Sequence, residues 1–188
     1  LFSFLCKMEH KAGFVNIIGN PNVGKSTLMN ALVGEKLSII TNKAQTTRHR
    51  ILGILNEEDF QIVFSDTPGI IKPAYKLQES MMNFVHSAFQ DADVLIYMIE
   101  VGEKGLKDEQ LFERIKKTDT PVLLLLNKID LAEQEEVAEQ INFWKERVPN
   151  AGSIEARTRG CSCPMLKNAL GTSNRLSFDS KCKLHKRS

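Results

Sequence analysis

The stretch Gly19-Asn20-Pro21-Asn22-Val23-Gly24-Lys25-Ser26 constrains this chain more than any other. It fits the spacing G-x-x-x-x-G-K-[ST] and lies between an apolar run, FVNII (14–18), and a helical period, Leu28 with Leu32, that Gly34 can cap. A strand that turns through glycines into a helix curls successive backbone N–H groups toward one point. The helix N-terminus adds its dipole there, so such a loop cradles phosphates. Lys25 is then placed to reach the β and γ phosphates, and Ser26 to offer its hydroxyl to Mg²⁺, with Gly19, Asn20, Pro21, Asn22, Val23, Gly24 and Thr27 completing the candidate loop.

The rest of the apolar pattern agrees with such a loop. FQIVF (60–64), VLIYMIEV (94–101) and PVLLLL (121–126) are short continuous apolar runs, as strands buried on both faces of a parallel sheet require. Helical spacings separate them: Leu77, Met81 and Val85; Leu111 and Ile115; Val137, Ile141 and Val148. ILGILN (51–56) instead meets FQIVF across the turn-like EEDF junction and predicts an antiparallel hairpin. The expected fold is an open α/β sheet, mostly parallel, with helices on both faces. These stripes, with Met82 and Trp144, read as core rather than as a cofactor site. At 188 residues and 42% hydrophobic, the chain suits one domain with a substantial core.

Three further segments carry chemistry. Asp66-Thr67-Pro68-Gly69 follows FQIVF; a carboxylate at a strand end can hold Mg²⁺ through water, and the Gly69 N–H can register a γ phosphate. Asn127-Lys128-Ile129-Asp130 follows PVLLLL. The Asp130 carboxylate can accept from guanine N1–H and its exocyclic amine, a donor pair that adenine lacks, so it disfavours an ATP-dependent enzyme. Asn127 can tie this loop to the phosphate loop and the Lys128 stem can cover a base face. Between them, Thr41-Asn42-Lys43-Ala44-Gln45-Thr46-Thr47-Arg48-His49-Arg50 is too polar for a core element, and a threonine in it can complete the Mg²⁺ shell. His49 reads as a solvated side chain. Ile70, directly after Gly69, poses a problem: Ras has a glutamine there that orients the attacking water, and an alkyl chain cannot.

Together, GNPNVGKST, KAQTTRHRILGI, DTPGI and NKID resemble the bacterial Era GTPases over residues 12–150, with QTTRHR the most family-specific part. The resemblance implies a Ras-like P-loop NTPase domain and Mg²⁺-dependent GTP hydrolysis with Lys25, Thr47 and Gly69 as catalytic groups. It also implies a role on the small ribosomal subunit and its 16S rRNA, with no DNA partner. It points to a cytoplasmic protein, at most peripheral at the inner membrane surface, and to Thr47 as the Mg²⁺-binding threonine. In this branch an apolar residue commonly replaces the glutamine, and several related GTPases bind K⁺ through an asparagine matching Asn22; Asn22 also reads as a plain turn residue.

The resemblance breaks down at the chain's ends. Era proteins carry a Ser-Ala guanine loop after a sixth strand and then an RNA-gripping KH domain, whereas residues 151–188 begin AGSIEARTRGCSCP and show no apolar run. Gly102-Glu103-Lys104-Gly105 falls before a helical period and is a false lead for the KH clamp. Charge divides at the same point: 17 Lys+Arg against 21 Asp+Glu in residues 1–150, but 8 against 2 afterwards. Residues 151–188 are therefore expected to be a basic, solvated tail, out of the native frame, leaving a sheet edge and an apolar face uncovered. Zinc at Cys161, Cys163, Cys182 and His185 is disfavoured by the Cys-x-Cys spacing, and Phe178 is the tail's one base-stacking candidate. Met8 is a plausible start, which makes residues 1–7 upstream read-through, within an N-terminal extension over 1–11. The competing functional reading is a truncated guanine-nucleotide-binding fragment with little turnover and no specific RNA binding.

Overall fold

A computed structural model describes residues 11–40, 46–58 and 60–157. Strands β1 (Lys11–Ile18), β2 (Ile51–Asn56), β3 (Phe60–Asp66), β4 (Val94–Glu100), β5 (Val122–Asn127) and β6 (Ala151–Arg157) alternate with helices α1 (Lys25–Val33), α2 (Lys76–Gln90), α3 (Glu109–Lys117) and α4 (Gln134–Arg147). The sheet order is β2-β3-β1-β4-β5-β6, and only the β2–β3 pair is antiparallel. The expected hairpin is therefore present.

Strand alternation divides the core in two. Ile96 and Met98 of β4 and Leu123 and Leu125 of β5 join Leu28, Met29 and Leu32 of α1 on one side. Leu95, Tyr97 and Ile99, with Val122, Leu124 and Leu126, face the other way and join residues of α2, α3 and α4. There Trp144 is fully buried and is met edge-on by Tyr97 at 5.6 Å and Phe143 at 5.5 Å. Such pairs contribute about 1 kcal/mol each beyond area burial. Helix ends follow local chemistry: Gly34 caps α1 in the left-handed conformation, and the Asp108 side chain accepts the Leu111 N–H to start α3.

Two expectations need correction. Met81 and Val85 are buried as their spacing predicts, but Leu77 is 45% exposed; the inward face of α2 starts instead at Gln78 and takes in Met81, Met82, Val85, Ala88 and Phe89. Gln78 is buried because its side chain accepts the Ala74 N–H at 2.7 Å. Residues 151–157 are a strand, not loop: β6 pairs in parallel with β5, the register slipping past Gly152 as Val122 faces Ala151 and Leu123 faces Ser153. An edge strand needs only a ladder and an alternating pattern, not the apolar run of a central strand. The β5 edge is thus covered, and Leu123 and Leu125 are buried. The expectations for residues 1–10, for 41–45, and for the cysteines and Phe178 of the tail lie outside the described residues.

Candidate functional site

The parallel strands end on one side of the sheet, and that is where the motifs gather: the phosphate loop after β1, Asp66 at the end of β3, the β4–α3 loop, and Asn127 at the end of β5. Strand β1 lies between β3 and β4, so the chain leaves it in both directions and opens a crevice at its C-terminal end.

Backbone sterics shape the phosphate loop. Gly19 and Gly24 have φ of 154° and 104°, and Asn22 adopts 66°. At Gly24 a Cβ would stand 2.5 Å from Asn127 Nδ2, the same nitrogen that donates to the Val23 carbonyl at 2.7 Å. The loop after β5 is therefore fastened to the phosphate loop through a contact that only glycine admits, and Asn127 makes the tie its motif suggested. Lys25 is 6% exposed, its Nζ donating to the carbonyls of Gly19 at 3.1 Å and Asn20 at 2.8 Å. Burial pulls its pKa down to about 8, against the opposing charges of Asp66 and Glu103.

Three oxygens expected around Mg²⁺ converge. Ser26 Oγ donates to Asp66 Oδ2 at 2.6 Å and lies 3.3 Å from Thr47 Oγ1, which itself stands 3.5 Å from Asp66 Oδ2. Asp66 is fully buried and its second oxygen, Oδ1, has no hydrogen-bond partner among the described residues. Burial raises its pKa, with the Ser26 hydrogen bond and the Lys25 charge opposing. A hydrated divalent cation fits this donor set: it would neutralise the carboxylate and give the orphaned oxygen a water to bind.

The turn after β3 is bound tightly to the same loop. A Cβ on Gly69 would fall 2.6 Å from Pro21 Cα. Ile70 donates its N–H to the Gly19 carbonyl at 3.0 Å, and its side chain is fully buried in the core. Thr67 commits its hydroxyl to the Ile17 carbonyl at 2.7 Å, so its part is to fix the turn on β1. Pro68 lies in the same buried turn. Asp130 is exposed on a short 3₁₀ turn, Ile129–Leu131. The Lys128 ammonium pairs with Glu100, the last residue of β4, and its backbone is left-handed at φ 61°. Thr27 lies in the first turn of α1.

Sequence reasoning missed two groups here. Arg50 closes the polar stretch after α1: its Nε donates to Ser65 Oγ at 2.6 Å, its Nη2 to Asn16 Oδ1 at 3.0 Å, and its Nη1 pairs with Asp91 at 2.5 Å. Asn16, a polar residue inside FVNII, was the available signal. Glu103 lies inside the rejected G-x-x-G; it accepts from the Asn20 side chain, and burial pushes its pKa up to about 7. His49 is exposed, with its ring 5.4 Å from Phe84. Among the described residues no cluster of metal-ligating side chains of the His/Cys/Asp/Glu type is present, and no helix is long and apolar enough to cross a membrane.

Residues 14–128 match a protein family described as 50S ribosome-binding GTPase. The chain is 46% identical over 140 residues to the GTPase Era of Alkaliphilus metalliredigens, covering 74% of this chain and 48% of that protein. It is 48% identical over 141 residues to the GTPase Era of a Thermoanaerobacter species, with 74% and 47% covered. Among solved structures, Era in complex with MgGDPNP and nucleotides 1506–1542 of 16S ribosomal RNA is similar at a TM-score of 0.78 and 37% identity, over 86% of this chain and 56% of that one. The chain thus spans about half the length of the curated relatives it matches.

Proposed function

Because the chain belongs to the 50S ribosome-binding GTPase family and its GTPase domain is of the Era type, we propose that it binds GTP and GDP with Mg²⁺ and hydrolyses GTP as a molecular switch. The observation that carries this reading is the convergence of Ser26, Thr47 and Asp66 beside the buried Lys25 ammonium. Bound Mg²⁺ would supply charge against the β and γ phosphate oxygens, held by the Ser26 and Thr47 hydroxyls and, through water, by Asp66.

The chain's own groups divide the remaining work. Two of the three Lys25 N–H bonds go to phosphate-loop carbonyls, which aims the ammonium into the loop and leaves the third for an anionic oxygen. The Gly69 N–H would meet the γ phosphate, and Asp130 would select guanine. With Ile70 in the core, no side chain at that position holds the attacking water. The work would pass to the backbone of the polar stretch around Thr47, and a K⁺ held by Asn22 would supply the positive charge that an arginine finger supplies in other GTPases. Equal GTP turnover in KCl and NaCl would remove K⁺ from the scheme.

We place the switch in small-subunit assembly and 16S rRNA maturation in the cytoplasm, at most peripheral at the inner membrane surface. The support is the Era relatives and the solved Era complex with a 16S fragment. The test is release of GDP and phosphate from Mg·GTP, with Lys25→Ala as the blank.

A further inference from the structure

We infer that Glu103 is a positioning residue for the phosphate loop, holding the Asn20 side chain and through it the loop geometry that the nucleotide requires. The inference rests on the nucleotide-binding reading above and adds a residue outside the four motifs.

Three groups of the β4–α3 loop enclose the Asn20 amide. Its Nδ2 donates to Glu103 Oε1 and, at 2.9 Å, to the Gly105 carbonyl, while its Oδ1 accepts the Lys107 N–H at 3.1 Å. The Asn20 backbone carbonyl takes one of the two Lys25 bonds, so the residue gripped by the loop also orients the phosphate-binding ammonium. Glu103 is itself fixed from two sides: Oε2 accepts the Glu100 N–H at 3.0 Å, and its carbonyl accepts Gln140 Nε2 of α4 at 2.7 Å. A continuous chain of hydrogen bonds thus runs from α4 to Lys25.

The acceptor count explains why a carboxylate stands there. Both oxygens receive an N–H, one from Asn20 and one from Glu100. An ionised carboxylate accepts at both positions; a protonated acid or a glutamine offers one acceptor and turns a donor toward the other N–H. The charged groups acting on Glu103 are Lys25 from α1 and Glu100 from β4; the buried Tyr97 hydroxyl of β4 feels both Glu103 and Arg147 of α4, whose Nη1 donates to the neighbouring Lys104 carbonyl. Burial dominates the raised carboxyl pKa of about 7, so protonation near neutrality weakens the grip on Asn20.

Calorimetry of Mg·GDP binding tests this with wild type, Glu103→Ala, Asn20→Ala and the double variant. Each single change is expected to weaken GDP about tenfold, and the double variant no more than the weaker-binding single. Going from about pH 8 to about pH 6, wild type is expected to lose affinity that Glu103→Gln does not lose. Losses that multiply in the double variant, or a Glu103→Ala that binds like wild type, would overturn the inference. Should Glu103→Ala give no folded protein, Glu103→Gln decides: wild-type affinity with an unchanged pH response overturns the inference. A wild type that binds no GDP defeats the nucleotide reading itself, and the inference with it.

Discussion

The Ile70 N–H donates to the Gly19 carbonyl at 3.0 Å, fastening the turn after β3 to the first residue of the phosphate loop. Gly19 O also takes a Lys25 bond, so one carbonyl links turn, loop and ammonium. What Ile70 supplies is its backbone, while its side chain fills the core. Restoring a glutamine should therefore fail as a catalytic repair. Ile70→Gln is expected to lose about 2 kcal/mol of stability from an amide buried without partners, with no gain in GTP turnover. Thermal unfolding and a turnover assay on the same preparation check both halves.

Gly24 and Asn127 share one contact, so two different changes should give one phenotype. Gly24→Ala forces a Cβ to 2.5 Å from Asn127 Nδ2 at a φ of 104°. Asn127→Ala removes the 2.7 Å bond to Val23. Both are expected to weaken GDP at least about tenfold by calorimetry, corresponding to the loss of one buried hydrogen bond.

Asp66 should cost stability when no cation is bound. Burial raises its pKa, so its charge opposes folding as pH rises from the ordinary carboxylate range through the raised value. Asp66→Asn is expected to melt higher than wild type in EDTA at neutral pH. In Mg²⁺ wild type should gain stability that the variant does not, which a pair of melting curves reads directly.

Glu103 gives a second pH signature with the same sign. Its folded pKa of about 7 exceeds the ordinary glutamate value of 4.5, so the folded state binds the extra proton and stability falls as pH rises between those values. The full span corresponds to about 3 kcal/mol. Glu103→Gln should flatten the pH dependence of denaturant unfolding over that window.

What the sequence made legible, and what it hid, follows from where each signal lies. Central strands such as VLLLL declare themselves because both faces are buried, and the motif residues because their chemistry fixes their types. Strand β6 was hidden because an edge strand is held by its ladder with β5, which leaves no apolar run to read. Leu77 misled because it shares the spacing of four with the buried Met81 and Val85, yet in the first turn of α2 the inward place goes to Gln78, which caps the preceding loop at the Ala74 N–H. Arg50 and Glu103 escaped because their partners, Asn16 and Asn20, are brought to them by the sheet and the loop rather than by any spacing along the chain.

Whether this domain is a guanine-specific, Lys25-dependent GTPase is read from release of phosphate from Mg·GTP, with Lys25→Ala as blank and Mg·ATP as competitor. Wild type is expected to give GDP and phosphate, Lys25→Ala none above background, and ATP no inhibition, because Asp130 has no donor pair to accept from adenine. Phosphate release that persists in Lys25→Ala, or equal use of ATP, would contradict that reading.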